Sequence, residues 1–402
     1  MSRLEGGQVR LLSAAAYAGM FVFGVAMALI GATLPALAAR LEVRVADIGT
    51  LFLTMSAAML AASLVLGLAM DRFGMKPPLA LGSLLVAAAM IVVARASALA
   101  DLRTAVLLLG VGGGALNGST NTLVADLHDD PRRKSAALNR LGVFFGFGAL
   151  LLPFSMGALL ARLSVGTLLL AAAGLCAAAG VFAAALGFPA PKQRHALPVA
   201  EMPRFLRSPL VLALAFLLFF ESGVEFTMAG FISTYLTHDL AVGSVAVASW
   251  ILAGYWMSVM ASRTLLSRLA LGAEPYRILL YCSVGACAGA LLAGLAPSQG
   301  VAAAAIVLCG FALAGIYPTT LGIAGARFQS HSGTVFGILF AVALAGGMVV
   351  PWLAGQIGGA AGLRWVFGMM AAAFAVILAL SRTAAHFERA GNWESGLEKP
   401  CR

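Results

Sequence analysis

Twelve long apolar stretches fill almost the whole chain, and its polar residues gather in the gaps between them. A bilayer core roughly 30 Å thick needs about 20 apolar residues for each helical crossing. Stretches of that length lie near 11–38, 46–70, 77–99, 102–127, 136–162, 163–188, 209–238, 243–268, 276–296, 300–326, 332–359 and 363–385. Most gaps are short, so consecutive helices are expected to run antiparallel. The exception is the Pro-rich, basic segment 189–208 near the middle of the chain. It separates a first block of six spans, 1–188, from a second block of six with a short tail, 209–402. The pattern predicts an all-α membrane protein with twelve transmembrane helices.

Composition agrees with lipid as the solvent. Of 402 residues 61% are hydrophobic and only 10% charged, with a mean hydropathy of +0.97. That is too little charge to cover a soluble surface. The net charge of +10 forms no basic stripe interleaved with aromatics, so no nucleic-acid partner is expected. Lys and Arg scatter between the spans, and placing both termini in the cytoplasm puts them about three to one on the inner side, as the positive-inside rule requires. Arg263 falls among these inner bases. Cys176, Cys282, Cys287 and Cys309 sit inside apolar segments and read as small packing residues. A cleaved signal peptide would suit the A-x-A string before Arg40, but that apolar run is too long and further spans follow at once. The Ala-, Gly- and Leu-rich spans suggest a bacterial inner membrane.

Only two carboxylates lie deep inside any span, Glu221 and Glu225 in the seventh. A charge near the bilayer centre costs several kcal/mol by insertion scales, so it persists mainly where it faces a cavity or a partner. Four residues apart, the two share one helix face. Two such charges disfavour double ionisation, which suits a site that takes one proton or holds one Na+. The competing role is a permanent pairing with Arg140 or another inward base that locks the bundle. Asn117 and Asn121 repeat the same spacing on the Gly-rich fourth span. Their carboxamides suit a hydroxyl-rich solute; the competing role is interhelical hydrogen bonding worth about 1 kcal/mol.

Trp256, Tyr317 and Gln356 are further candidates to line a cavity, whereas Trp250 reads as an interfacial anchor. Pro318 and Pro351 are expected to kink their helices. No enzyme signature competes. The glycines of the fourth span lack the Lys-Ser/Thr of a phosphate loop, and the five His lie apart. No cofactor or metal is expected beyond the coupling ion, H+ or Na+. The expected partners are a small-molecule solute and membrane lipid, with the chain a monomer.

Between the second and third spans stands Gly67-Leu-Ala-Met-Asp71-Arg72-Phe-Gly74-Met-Lys76-Pro77. This resembles the G-x-x-x-D-R-x-G-R/K signature of the major facilitator superfamily. The resemblance implies two pseudo-symmetric six-helix bundles around a central cavity near the bilayer midplane, which opens alternately to each side. It makes Gly67, Asp71, Arg72, Gly74 and Lys76 conformational gating residues. Arg140 is expected to join them in a cytoplasmic charge network with Asp71 or Asp126. The second half keeps only the basic character of the loop, in Ala261-Ser-Arg263-Thr-Leu-Leu-Ser-Arg268.

A narrower resemblance, to the fucose permease and sodium-dependent glucose transporter branch, rests on four segments. They are Gly110 to Asn121, Ala137 to Gly148, Gly223 to Tyr235 and Gly310 to Thr319. It implies sugar uptake driven by protons or sodium. The chain departs from that branch in having no acid in its first span and Asn117 and Asn121 in its fourth. The expected function is therefore coupled secondary transport of a small polar solute, a sugar first, through Glu225 and Glu221. A proton-coupled drug or metabolite exporter is the alternative, and a non-transporting membrane sensor a third.

Overall fold

The computed structural model describes residues 6–127, 131–189, 202–240, 242–269, 274–328 and 332–389. The side chains at 6, 39–40, 64, 66–69, 71, 131–136, 139, 202, 267–269 and 332–333 are not among those described. The first half holds α1 (Gly6–Leu41), α2 (Val45–Phe73), α3 (Lys76–Arg95), α4 (Leu99–Leu127), α5 (Pro131–Leu159) and α6 (Val165–Ala185). A single turn, α7 (Met202–Phe205), precedes α8 (Pro209–His238), α9 (Val245–Leu269) and α10 (Pro275–Gly294). The chain continues through α11 (Gln299–Leu313), α12 (Ile316–Arg327), α13 (Ser332–Ala361) and α14 (Leu363–Arg389). Among the described residues, α11 and α12 form one broken crossing, and twelve segments are long and apolar enough to span a membrane. Their positions match the twelve expected stretches.

Helix starts follow from local chemistry. Ser164 accepts a hydrogen bond from the Thr167 N–H at the head of α6, and Asp47 accepts from the Arg44 N–H at the head of α2. Proline opens α10 at Pro275, where no intrahelical N–H is needed. Hydroxyls inside the spans are satisfied locally. Thr33 donates to the Leu29 carbonyl, Ser83 to Leu79 and Thr227 to Gly223, so few polar groups face hydrocarbon alone.

Packing groups the chain into two compact units, Met1–Arg194 with Ala229–Trp256 and His195–Met228 with Met257–Arg402. In the first unit α1 and α5 touch backbone to backbone. A Cβ on Gly24 would strike the Phe145 carbonyl, and one on Gly148 the Phe21 carbonyl. In the second unit α8 and α13 do the same, with Gly346 against the Phe219 carbonyl. That contact lies two residues from Glu221.

The tenth crossing breaks at Ala314–Gly315 rather than merely bending. Pro318 explains the break. It has no N–H to offer the Ala314 carbonyl, and its ring would clash there in a continuous helix. The resumed helix α12 is held at its far end, where Arg327 pairs with Glu388 of α14. Glu388 also accepts from the Tyr276 hydroxyl of α10 at 2.5 Å.

Candidate functional site

Glu221 and Glu225 lie near the middle of α8, in the second unit, and the structure treats them differently. Glu225 accepts a hydrogen bond from Arg263 Nη2 of α9 at 3.1 Å, forming an ion pair. Glu221 is only 1% exposed, and neither of its carboxylate oxygens has a hydrogen-bond partner among the described residues. One helical turn separates the two, so Glu221 lies within the field of both Glu225 and Arg263. Tyr317, on the first turn of α12 just beyond the break, feels both glutamates and the arginine. Four residues from α8, α9 and α12 thus form one polar cluster inside an apolar unit.

Arg263 was counted among the inner bases, at the end of the expected stretch 243–268, and it stands near the end of the span Val245–Leu266 as a helical residue. Its pairing with Glu225 is what sequence reasoning did not foresee. The signal was present: a bilayer-length count from Val245 already includes position 263. Three residues before the end of that span, however, a basic residue reads as a loop flank.

The structure does not gather the other candidates at this cluster. Asn117 and Asn121 lie on α4 in the first unit and are bonded to each other. Asn121 Nδ2 donates to the Asn117 carbonyl at 2.8 Å and to its Oδ1 at 3.0 Å. Asn117 Nδ2 and Asn121 Oδ1 take no part in that bond. Trp256 also belongs to the first unit and is 2% exposed. It packs edge-on against Phe145 and Tyr255, and its indole N–H has no partner among the described residues. Trp250 is exposed and edge-on to Phe154. Gln356 sits on an exposed face near the end of α13. Among the described residues, no group of three His, Cys, Asp or Glu could hold a metal.

Of the gating candidates, Gly67 and Asp71 lie outside the residues whose side chains are described. Gly74 caps α2 at φ 78°, a left-handed conformation that favours glycine, and its N–H donates to the Met70 carbonyl. The Arg72 guanidinium lies 5.3 Å from the Phe73 ring centroid, and Arg140 lies 5.9 Å from that of Tyr17. Lys76 opens α3.

A family model described as the Major Facilitator Superfamily matches residues 16–238 and 214–398. No curated protein matches the chain in sequence. Among solved structures, a bacterial homolog of the human lysosomal transporter Spinster, inward-facing and unoccupied, is 13% identical with a TM-score of 0.73. That match covers 99% of this chain and 100% of the other. The nucleoside transporter NupG is 15% identical with a TM-score of 0.73, covering 94% and 99%. The Escherichia coli fucose:proton symporter FucP is 19% identical with a TM-score of 0.64, again covering 94% and 99%. At such identities the likeness is one of fold.

Proposed function

The chain belongs to the major facilitator superfamily and is a multi-pass membrane transporter, and from that premise we propose that it is a proton-coupled secondary transporter of a small polar solute, with a sugar-like molecule as the leading class. The observation that carries the coupling is Glu221. It is a carboxylate at mid-helix depth, closed to solvent, with neither oxygen in a hydrogen bond of ordinary geometry among the described residues, one turn from an ion pair. A bare charge there costs several kcal/mol, and a bound proton removes that cost. Glu225 is instead engaged by Arg263, so the proton of this reading is assigned to Glu221. Tyr317 offers a hydroxyl to the same cluster.

The sugar-like reading draws on the unused Asn117 donor and Asn121 acceptor, which together match one hydroxyl. The solute crosses by alternating access, with Asp71 and Arg72 at the end of α2 helping to close the cytoplasmic side. The setting we propose is a bacterial inner membrane, with cytoplasmic termini and a monomeric chain.

The test is uptake into proteoliposomes of labelled hexoses and hexose derivatives, with an inward proton gradient or an inward sodium gradient. Accumulation of at least one member under the proton gradient alone is the expected result. Accumulation under sodium alone would replace the ion. No movement of any member under either gradient would overturn the sugar-like reading and turn the search to export of cationic drugs.

A further inference from the structure

Arg263 has more hydrogen-bonding capacity than Glu225 takes up. A guanidinium carries five N–H donors. Here Nη2 donates to Glu225, while Nε is buried and has no partner among the described residues. The Arg263 side chain also keeps 29% of its surface open, against 13% for Glu225. Glu221 is closed. Of the two groups Arg263 is the more open and Glu221 the more closed. An arginine at membrane depth with spare donors and open surface matches an acceptor-rich anion. Glu225 already shows the shape that fits, a carboxylate on the guanidinium.

Charge counting narrows the class. The titratable groups that face one another are Glu221 and Glu225 on α8, Arg263 on α9 and Tyr317 on α12. With one proton on the acids the cluster is neutral. One further carboxylate makes it −1, and one more proton on the acids restores neutrality. A phosphate dianion would need two protons against a single arginine. A bulky ammonium group would meet a closed Glu221 and a Glu225 already held.

We infer that the solute is a polyhydroxylated monocarboxylate, a sugar acid, whose carboxylate takes the place of Glu225 on Arg263. The inference rests on the proton-coupled, sugar-like reading, which supplies the hydroxyls; the carboxylate comes from Arg263. Glu225 then occupies Arg263 when solute is absent and is displaced from it when solute is bound. Each acid moved carries at least one proton with it.

The test compares labelled D-glucuronate and D-gluconate with D-glucose and L-fucose, by calorimetric binding to purified protein and by uptake under a proton gradient. At least one of the acids should bind and accumulate, and the neutral sugars should do so at least about tenfold less well, a difference of about 1.4 kcal/mol. Glu225→Gln removes the competitor and should tighten acid binding about threefold or more. Arg263→Lys keeps the charge but loses the guanidinium fork, and should weaken acid binding about tenfold while the protein stays monodisperse. D-glucose or L-fucose accumulating while both acids fail would overturn the inference and leave the proton-coupled reading standing. Acid affinity unchanged in a monodisperse Arg263→Lys would also overturn it. Neither class bound nor moved would overturn the inference together with the sugar-like reading.

Discussion

The fourth and seventh spans each carry a polar pair four residues apart, and the two pairs have opposite fates. Asn121 can donate to Asn117, and it does, closing a local bond on α4. Glu221 and Glu225 are acceptors only when ionised and cannot satisfy one another. Glu225 recruits Arg263 from another helix, and Glu221 is left with no such partner among the described residues. The same spacing therefore gives a quiet helix surface in one unit and an unresolved charge in the other. An unresolved charge is what an ion-coupled machine needs, because a proton can change its energy by several kcal/mol.

The sharpest way to break this contrast is Arg263→Gln. It leaves Glu225 as uncompensated as Glu221, and losing one partner of a largely buried pair costs about 3 kcal/mol. Uptake should fall about a hundredfold, and the melting temperature of the purified protein should drop. A smaller effect is expected from Gly346→Val, which forces α13 away from the Phe219 carbonyl beside the acids. Overpacking of this kind costs about 1–3 kcal/mol, read as a lower melting temperature together with slower uptake. The smallest change should come from Asn121→Ala. It removes one intrahelical bond worth about 1 kcal/mol, and KM should rise by about fivefold or less. If Asn121→Ala abolished uptake with stability intact, the two pairs would not differ as described.

Much of the fold was legible because lipid leaves a coarse mark. Every crossing must be apolar over bilayer length, so twelve stretches could be counted before any packing was known. The break in the tenth crossing also had a readable cause, with Gly315 and Pro318 three residues apart. The acids were legible for the same energetic reason that makes them candidates. Their separate roles were not, since spacing alone makes Glu221 and Glu225 equivalent. Only the position of Arg263 distinguishes them, and a basic residue near the end of an apolar run looks like a loop flank. The amides are a different case. Carboxamides at i and i+4 suit a solute on paper, yet the helix brings them within 3.0 Å of each other first. Trp256 illustrates the same limit, because a periodicity cannot tell an indole facing a cavity from one packed on Phe145.

The most direct test of the central claim uses Glu221→Gln, which keeps the shape of the side chain and removes its ability to carry a proton. Once a transported solute is in hand, two fluxes are compared in proteoliposomes: exchange of labelled for unlabelled solute with no gradient, and uphill accumulation under an inward proton gradient. The account predicts that exchange persists within about threefold of wild type, less than 1 kcal/mol of barrier, while accumulation is lost. Full accumulation in the variant would contradict it and remove Glu221 from the coupling.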